Sequence, residues 1–357
     1  MFMSKKIVYI IPRFTTGGAE KLVLEYSKFF QKLKYEITVI SIVGCGELEQ
    51  EFEKNNINTV VFEKKNIFNF YKNIKKIKEL IQDINPDIIH SHIFSADLVA
   101  YFIKKSFGQI KWISTQHNVE CNASFIRKKI WKKILKKSDL VIAVAKKVYD
   151  FDKKYFKLNK NLIEIKNGVS LDKWFTSENN IFQNKTINFA IIGRLEKQKA
   201  HKYLFQVLKK IKNNNWLLHV FGVGNEEEKL KNLAKKYNLE ENIIWHGVSF
   251  NLKKDVENID VVLQPSLWEG LSLVIMEMML AAKLILASEI AGEELIQNKK
   301  TGLLFKTGNF CELKDKINYI LENEDKLIYL AKAGQKFALE NFSLENNLER
   351  IKEIYEK

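Results

Sequence analysis

Residues 264–277, Gln-Pro-Ser-Leu-Trp-Glu-Gly-Leu-Ser-Leu-Val-Ile-Met-Glu, decide the fold of this chain. They follow an apolar run at 261–263 that is typical of the end of a buried strand. A turn with one proline and one glycine then leads into an apolar, helix-like segment, and the start of such a helix favours an anion. Glu269 lies in the turn and Glu277 follows about two helical turns later. Carboxylates here suit a ligand that carries hydroxyls as well as phosphate, as a nucleotide sugar does.

Before and after this stretch, β-rich runs alternate with segments of helical periodicity. Apolar residues from Leu22 to Phe30 recur at helical spacing and predict a helix from about Ala19. Strands alternating with helices indicate parallel sheets covered on both faces, so we predict an α/β fold with Rossmann-like, doubly wound sheets. The predicted strands are Ile7–Ile11, Ile37–Ile42, Val60–Phe62, Asp87–His90, Trp112–Thr115, Leu140–Val144, Ile187–Ile192 and Leu217–Phe221.

The length of 357 residues suggests two domains of ordinary size. Asn167-Gly168-Val169 predicts a turn at the end of the first domain, and we interpret the polar, Asn-rich residues 170–186 as the linker. We therefore predict an N-terminal domain at 1–170, a C-terminal domain at 171–342 and a last helix at 343–357.

Composition limits the class of protein. No apolar run approaches the roughly 18 residues that span a bilayer, and the run at Ile7–Ile11 is too short for a signal peptide. The three cysteines, Cys45, Cys121 and Cys311, are odd in number and far apart, which indicates neither a disulfide framework nor a zinc site. These features predict a cytoplasmic protein.

The net charge of +15 is carried almost wholly by the first half of the chain. Residues 1–170 contain 31 Lys and Arg against 17 Asp and Glu, a net charge of +14, whereas residues 171–357 carry +1. General enrichment in lysine would affect both halves alike. The asymmetry predicts a polyanionic partner of the N-terminal half: a membrane, an anionic lipid or a nucleic acid.

Three further loops have the residues of a phosphate site. Gly193 and Arg194 directly follow a predicted strand and Lys199 precedes the next helix, and arginine with lysine is the usual pair for a diphosphate. Gly17-Gly18 and Gly222-Val223-Gly224 let the backbone approach a ligand closely. Taken alone, either glycine motif is equally typical of an ordinary tight turn.

Three histidines follow predicted strands, at the edge where ligands of open α/β sheets bind. His90 and His92 share one face of an extended chain, but no Asp, Glu or Cys completes a metal-binding set, so we predict no metal site. His117 follows Thr115-Gln116 after the next strand. For His92 a structural role and an acceptor-side role are both open.

These motifs together resemble the retaining glycosyltransferases of family 4, which have the GT-B fold, and the resemblance spans nearly the whole chain. Ser170 replaces the acid that usually follows Asn-Gly-Val, and Ala200 stands where the family has glycine, which is tolerated unless a positive φ is required. In GT-B proteins the last helix crosses back onto the first domain. The matching motifs are Glu269-x7-Glu277, Gly17-Gly18-Ala19-Glu20, Thr115-Gln116-His117, Gly193-Arg194-Leu195 with Lys199, and Asn167-Gly168-Val169.

The resemblance implies a role for each matched residue. It places Glu269 on the hydroxyls of the donor sugar, Glu277 on those of the ribose, and His117 at the donor sugar beside the reaction centre. Arg194 and Lys199 bind the diphosphate, and with Glu269 and His117 they form the predicted catalytic set. The other predicted donor-binding residues lie in the glycine turns and at the helix start: Gly17, Gly18, Gly193, Gly222, Gly270, Leu271, Ser272 and Leu273.

The implied function is a retaining hexosyltransferase for cell-surface polysaccharide, lipopolysaccharide or capsule, with a nucleotide sugar, expected to be UDP-linked, and neither metal nor cofactor. Asp150-Phe151-Asp152 has the metal signature of a different transferase fold, but it lies away from any strand end. A sugar phosphorylase on the same fold is the nearest alternative, and Glu277 argues against it because a phosphate or cofactor pocket would replace the ribose site. A nucleic-acid-binding protein explains the charge but leaves the two glutamates unused, and no nucleic-acid module is visible.

Residues 126–137 carry seven basic residues and no acid. Their apolar residues recur at helical spacing, which is typical of a surface helix packed on the sheet. The lysines, among them Lys132 and Lys133, are free to face anionic headgroups, where each is worth about 1 kcal/mol. We therefore predict a peripheral enzyme at the inner face of the plasma membrane with a lipid-linked glycan acceptor, and we place His92, Lys132 and Lys133 on the acceptor side. The apolar residues are Ile126, Ile130, Trp131, Ile134 and Leu135.

Overall fold

The computed structural model describes residues 5–63, 67–119, 123–177, 181–213 and 215–357, with the backbone alone at 67 and 68; Cys121 lies outside the described residues. The chain divides into two compact units, which we call unit 1 (1–167 and 347–357) and unit 2 (168–346). Each is built on a parallel sheet with helices, which confirms the predicted α/β fold.

Unit 1 has, in its described part, a seven-stranded parallel sheet in the order β3-β2-β1-β4-β5-β6-β7. The strands are β1 Lys6–Ile11, β2 Glu36–Ser41, β3 Asn58–Val61, β4 Ile88–His92, β5 Lys111–Gln116, β6 Leu140–Ala143 and β7 Leu162–Glu164. The helices are α1 Gly18–Lys32, α2 Glu49–Lys54, α3 Ile67–Ile84, α4 Ile93–Ser106, α5 Phe125–Leu135 and α6 Lys146–Phe151, followed by a π-helical turn at Asp152–Phe156.

The central strands of unit 1 are apolar and buried on both faces, as parallel strands are when helices cover the sheet. Ile7 to Ile11 in β1 are all buried. β4 runs two residues beyond its predicted end at His90, so His92 is the last residue of the strand. The sequence did not predict β7, whose three residues include Glu164 and are too few to show a periodicity.

Unit 2 has, among the described residues, a six-stranded parallel sheet in the order β10-β9-β8-β11-β12-β13. Its strands are β8 Ile187–Ile192, β9 Trp216–Phe221, β10 Ile243–Gly247, β11 Val261–Gln264, β12 Leu284–Ser288 and β13 Leu303–Phe305. Its helices are α7 Leu171–Trp174, α8 His201–Leu208, α9 Glu227–Lys236, α10 Leu252–Asp255, α11 Leu273–Leu280, α12 Glu289–Gly292, α13 Phe310–Glu322 and α14 Glu324–Asn341, with 3-10 turns at Lys197–Lys199 and Glu240–Asn242.

The strand order reverses between β1 and β4 in unit 1 and between β8 and β11 in unit 2. At such a switch point the helices that follow the two strands lie on opposite faces of the sheet, which leaves a crevice beyond the carboxyl ends of the strands. The predicted site residues follow these four strands and β5 and β9. The topology therefore places them at the edge of each sheet where α/β proteins bind their ligands.

The interpretation of residues 170–186 as a linker is wrong for the described part of that segment. Leu171–Trp174 forms α7, and Trp174 is buried. Ile181 joins the hydrophobic core of unit 2, and the Phe182 N–H donates to Asp260 Oδ1 at 2.6 Å. Apolar residues spaced within an Asn-rich stretch therefore attach it to unit 2.

The last helix, α15 Leu344–Glu356, belongs to unit 1 from Asn347 onward, as the resemblance implied. Its Tyr355 is fully buried, lies with its hydroxyl 2.5 Å from His90 Nδ1, and donates to the Tyr9 hydroxyl at 3.2 Å. Lys111 Nζ donates to the Ile354 carbonyl at 2.6 Å. These contacts make the C-terminus part of the core of unit 1.

Candidate active site

The edge of the unit 2 sheet is shaped by two glycines at the ends of β8 and β9. Gly222 has a φ of +127°, and a Cβ there would lie 2.1 Å from the Gly193 carbonyl oxygen. Gly193 has a φ of +147°, and a Cβ there would lie 3.0 Å from Lys199 Cε. Both positions therefore require glycine, because only a residue without a side chain lets the strand ends approach and the lysine cross over them.

Glu269, in the loop between β11 and α11, accepts hydrogen bonds from four side chains. Lys199 Nζ forms an ion pair with Oε1, which also accepts from Gln264 Nε2 and Ser266 Oγ, each at 3.2 Å. Oε2 accepts from Gln198 Nε2 at 3.1 Å. The Lys199 and Glu269 side chains are only 15% and 8% exposed, so this pair is little screened by water.

Both Glu269 and Lys199 can still form hydrogen bonds to a ligand. A carboxylate has about four acceptor sites, and Oε2 of Glu269 uses one where Oε1 uses three. An ammonium has three donors, and Lys199 spends one of them on Glu269. Glu269 is thus held rigidly with a lone pair to offer to a hydroxyl, beside a lysine with two donors to offer to an anion.

α11 begins at Leu273, and Ser272 is its N-cap. The Ser272 Oγ accepts from the Ile275 N–H at 3.4 Å, which satisfies one of the donors that a helix start leaves free. The Ser272 oxygen therefore accepts in the cap, and the N–H groups of the first turn, from Leu273 onward, form the positive end of the helix dipole directly after Gly270 and Leu271.

Glu277 lies inside α11 and is 6% exposed. Its Oε2 is buried and has no hydrogen-bond partner within the part of the chain that the structure describes. A buried polar oxygen without a partner is costly, and a bound ligand is one way in which native proteins complete such a group. Gln264 Oε1 and both ring nitrogens of His201, at the same edge, also lack a partner among the described residues, and Glu277 is the carboxylate of this group.

Arg194 and Lys199 are both in the β8–α8 loop, as predicted, but differ in environment. The Arg194 side chain is 54% exposed, and its Nη1 donates to Glu196 Oε1 at 3.0 Å. Ala200, next to Lys199, has a φ of +60°. The positive φ that would favour the family's glycine at this position is therefore required here. This left-handed alanine costs roughly 1–2 kcal/mol relative to a right-handed one.

Gly17 and Gly18 begin α1 in unit 1, with Gly17 as the N-cap. A Cβ at Gly17 would lie 2.3 Å from Glu20 Oε2, so the glycine makes room for a carboxylate folded back over the helix start. Glu20 is itself buried. The Gly-Gly-x-Glu motif is therefore one packed unit at the end of β1.

The three predicted histidines meet at the ends of β4 and β5. His90 Nε2 lies 2.7 Å from Thr115 Oγ1 and its Nδ1 faces Tyr355, so His90 has a structural role. His92 Nδ1 lies 2.9 Å from His117 Nε2. His92 is fully buried behind His117, which favours the structural alternative over direct contact with an acceptor.

Burial governs the protonation of this histidine cluster. Desolvation lowers the pKa of His90 to about 3 and that of His117 to about 4, and it lowers the pKa of His92 well below its ordinary value. The charge of His117 further lowers the pKa of His90, and the charges of His90 and His117 further lower that of His92. All three imidazoles are therefore neutral at pH 7, and His117 acts as a polar group and not as a cation.

Sequence reasoning missed Asp97, a fully buried carboxylate of α4 behind the histidine strands. Burial raises the pKa of Asp97 to about 6 although four side chains donate to it. It ties α4, β4, β5 and α5 together. The only sequence signal was a carboxylate on the apolar face of a helix. The donors are Ser91 at 2.7 Å, Ser114 at 2.6 Å, Gln116 at 3.0 Å and Trp131 at 2.8 Å.

The apolar stripe predicted within 126–137 is only partly confirmed. Trp131, Ile134 and Leu135 of α5 are buried against the rest of unit 1, and the Trp131 indole N–H donates to Asp97. Ile126 and Ile130, however, are 71% and 45% exposed, because they precede the turn that the tryptophan anchors. Phe125 is also exposed, at 79%. The helix thus offers both apolar and basic side chains to its surroundings.

The lysines of α5 are crowded. Lys133 is exposed and Lys132 half-buried. Desolvation, and then the charges of Lys157 and Lys136, lower the pKa of Lys132. Lys157 follows the π-helical turn after α6, so the basic surface continues beyond the predicted stretch.

Asp150 and Asp152 do not form a paired site. Asp150 makes an ion pair with Lys146, whereas Asp152 is buried in the π-helical turn. Within the described ranges, no three His, Cys, Asp or Glu side chains are grouped so as to hold a metal ion. No described helix is long and apolar enough to cross a membrane.

Comparisons with known proteins identify the family of this chain. The family model Glycosyltransferase Family 4 matches residues 16–173, and Glycosyl transferases group 1 matches residues 172–337. A protein of Haemophilus influenzae described as an uncharacterised glycosyltransferase is 26% identical over 98% of this chain and 99% of its own length. The UDP-Gal:alpha-D-GlcNAc-diphosphoundecaprenol alpha-1,3-galactosyltransferase of Escherichia coli is 26% identical over 54% of this chain and 53% of its own.

Among solved structures, the Anabaena protein Alr3699/HepE in complex with UDP-glucose superposes with a TM-score of 0.88. The alignment covers 98% of both chains at 19% sequence identity. At this identity the likeness establishes the fold, and it covers both units.

Proposed function

This chain is a GT-B glycosyltransferase of the family 4 type, and on that premise we propose that it is a retaining hexosyltransferase with a UDP-linked donor and a lipid-linked glycan acceptor, acting in the synthesis of cell-surface polysaccharide. One observation carries the proposal. At the edge of the unit 2 sheet, Glu269 is held by Lys199 in the loop that leads into α11, and Glu277 lies about one turn into that helix, buried and with an oxygen that has no partner among the described residues. A sugar and a ribose present hydroxyls to the two carboxylates, and the diphosphate lies by the lysine.

In the proposed reaction, the bond between the sugar C1 and the diphosphate oxygen breaks. The acceptor oxygen bonds to C1 from the same face, and its proton passes to the departing phosphate oxygen. Negative charge grows on the diphosphate as the bond breaks. Arg194, the two unused N–H groups of Lys199 and the start of α11 supply fixed positive potential there, which lowers the barrier without a metal.

Two relatives support the identity of the substrates. The Anabaena structure contains UDP-glucose, and the Escherichia coli relative is named for UDP-Gal and a diphosphoundecaprenol acceptor. A donor with UDP and an acceptor on a polyprenyl diphosphate are therefore the substrates to test first. Such an acceptor is anchored in a membrane, which suits the net charge of +14 in residues 1–170.

We propose α5 as the membrane contact. Phe125 and Ile126 are exposed at its N-terminal end, and Lys132, Lys133, Lys136 and Lys137 follow. Apolar side chains enter the headgroup region while each lysine adds about 1 kcal/mol near an anionic surface. Trp131 holds the helix on the sheet through Asp97, so this surface is rigid.

Liposome co-sedimentation tests the membrane contact. We expect binding to vesicles with anionic lipid, loss with added salt, and a loss on the order of 100-fold or more when Lys132, Lys133, Lys136 and Lys137 become Glu. The matched control changes four lysines of α9 to Glu, Lys229, Lys231, Lys235 and Lys236, and should bind normally. Equal binding of both variants, or equal binding to neutral vesicles, contradicts the proposed surface.

A thermal-shift panel of nucleotide sugars tests the donor site. A ligand that binds only the folded protein raises the free energy of unfolding, by about 2.7 kcal/mol when its concentration is 100 times its Kd, and so raises Tm. We expect UDP-sugars to raise Tm and to lose that effect in Glu277→Gln. A protein that no nucleotide sugar stabilises does not have the proposed donor site.

A further inference from the structure

The contact between His92 and His117 determines which nitrogen of His117 faces outward. His92 Nδ1 lies 2.9 Å from His117 Nε2, and the two rings stack with centroids 5.2 Å apart. This contact occupies Nε2 of His117. Only Nδ1 of that ring remains to meet a ligand.

Two neutral arrangements of this pair are possible, since one nitrogen must donate and the other accept. If His117 Nε2–H donates, then His92 carries its proton on Nε2. That atom is buried and has no partner in the part of the chain described. If His92 Nδ1–H donates, then His92 Nε2 is a bare nitrogen. Buried donors without an acceptor are rarer in native proteins than under-satisfied acceptors, so the second arrangement is favoured.

We propose that His92 is a positioning residue that donates its Nδ1 proton to His117 Nε2 and so fixes His117 as the tautomer that presents an N–H at Nδ1. The inference rests on the proposed function, together with the resemblance, which implies that His117 meets the donor sugar. A hydrogen bond at one imidazole nitrogen sets the proton on the other, so His92 acts on the substrate only through His117.

Aromatic rings pack around His92 and hold the plane of its imidazole. Its ring stacks on His90 at 4.4 Å and contacts Tyr9 and Tyr26 at centroid distances of 6.2 and 6.5 Å. The next residue, Ile93, has a φ of +74°. A β-branched residue is strained there, and such strain persists only where the rest of the structure holds the backbone in place.

Two variants separate positioning from packing. In His92→Asn the amide N–H lies near the place of Nδ1 and can still donate, whereas in His92→Gln it lies near the place of Nε2. We expect His92→Gln to lower kcat about 10–100-fold, as loss of an orienting hydrogen bond on a histidine does, and His92→Asn to recover most of it. Equal Tm values show that both variants fold, and equal kcat values for the two would overturn the proposal.

Long-range nitrogen–hydrogen NMR of isotopically labelled protein reads the tautomer directly. We expect His117 to carry its proton on Nδ1 in the wild type and in His92→Asn, and to lose this preference in His92→Gln. A wild-type proton on His117 Nε2 overturns the proposal. This readout requires no turnover, so it decides the role of His92 even if no nucleotide sugar proves to be a substrate.

Discussion

Replacement of Glu277 by Gln changes one carboxylate oxygen of the proposed donor site to an amide NH₂ group and keeps the volume of the side chain. Glu277 Oε2 is buried and has no hydrogen-bond partner among the described residues, so the substitution breaks no hydrogen bond between that atom and this part of the chain. When the donor binds, a hydrogen bond to a charged group is worth about 1.5–3 kcal/mol. Its loss should therefore raise Kd about 10–100-fold, since 1.4 kcal/mol is tenfold, while Tm without ligand changes little.

The assay is calorimetric titration with the nucleoside diphosphate of the best donor and with its 2′-deoxy analogue. The wild type should prefer the ribose compound, and Glu277→Gln should bind both with similar, weak affinity. Glu322→Gln, at an exposed end of α13, is the matched control and should behave as the wild type. Wild-type discrimination between the two nucleotides in Glu277→Gln would refute the ribose assignment.

Three further predictions follow from the same geometry. Arg194→Ala should lower kcat about 10²–10³-fold with little loss of stability, because its side chain is half exposed. Lys199→Ala should lower kcat to a similar extent and also destabilise the fold by about 3–5 kcal/mol, because Glu269 stays buried without its ion pair; full activity in both variants would move the diphosphate elsewhere. Ala200→Gly should raise stability by about 1 kcal/mol in calorimetry, because it relieves a left-handed alanine. Stability should fall as the pH drops from 6.5 to 5. Each buried histidine such as His90, with a folded pKa of about 3, stays neutral while the unfolded chain gains a proton, which costs about 1.4 kcal/mol per pH unit. Below pH 6 the folded protein protonates Asp97 before the unfolded chain does, because burial raises the pKa of Asp97 to about 6, and this gain offsets the loss from one histidine. A Tm that does not fall over this range contradicts these pKa values.

Sequence alone predicts the sheets and the glycine turns because these depend on local pattern. Parallel strands buried on both faces are continuous apolar runs, and the residues at their carboxyl ends share one edge of the sheet. The position of Glu269 in a turn between β11 and α11 followed from this. Its pairing with Lys199 did not, because the two residues are separated by 70 positions and meet only when the order of the strands is known.

Tertiary context also decided the features that the sequence misjudged. Ile126 and Ile130 have the spacing of a buried face, but α5 is anchored by Trp131 and leaves both exposed. Trp174 and Ile181 lie in a polar stretch that looks like a linker, yet both are buried, and Ile181 belongs to the hydrophobic core of unit 2. Periodicity predicts which residues share the apolar face of a helix. It does not predict how much of that face the neighbouring elements cover.

The most direct measurement of the central claim is transfer of a labelled sugar from a panel of nucleotide sugars to a polyprenyl-diphosphate-linked glycan, in excess EDTA, with the product analysed by NMR. We predict release of the nucleoside diphosphate that depends on the acceptor, with a product that keeps the anomeric configuration of the donor. No transfer from any nucleotide sugar would contradict the glycosyltransferase function. An inverted product, or activity that EDTA abolishes and Mg²⁺ or Mn²⁺ restores, would contradict the retaining, metal-independent mechanism.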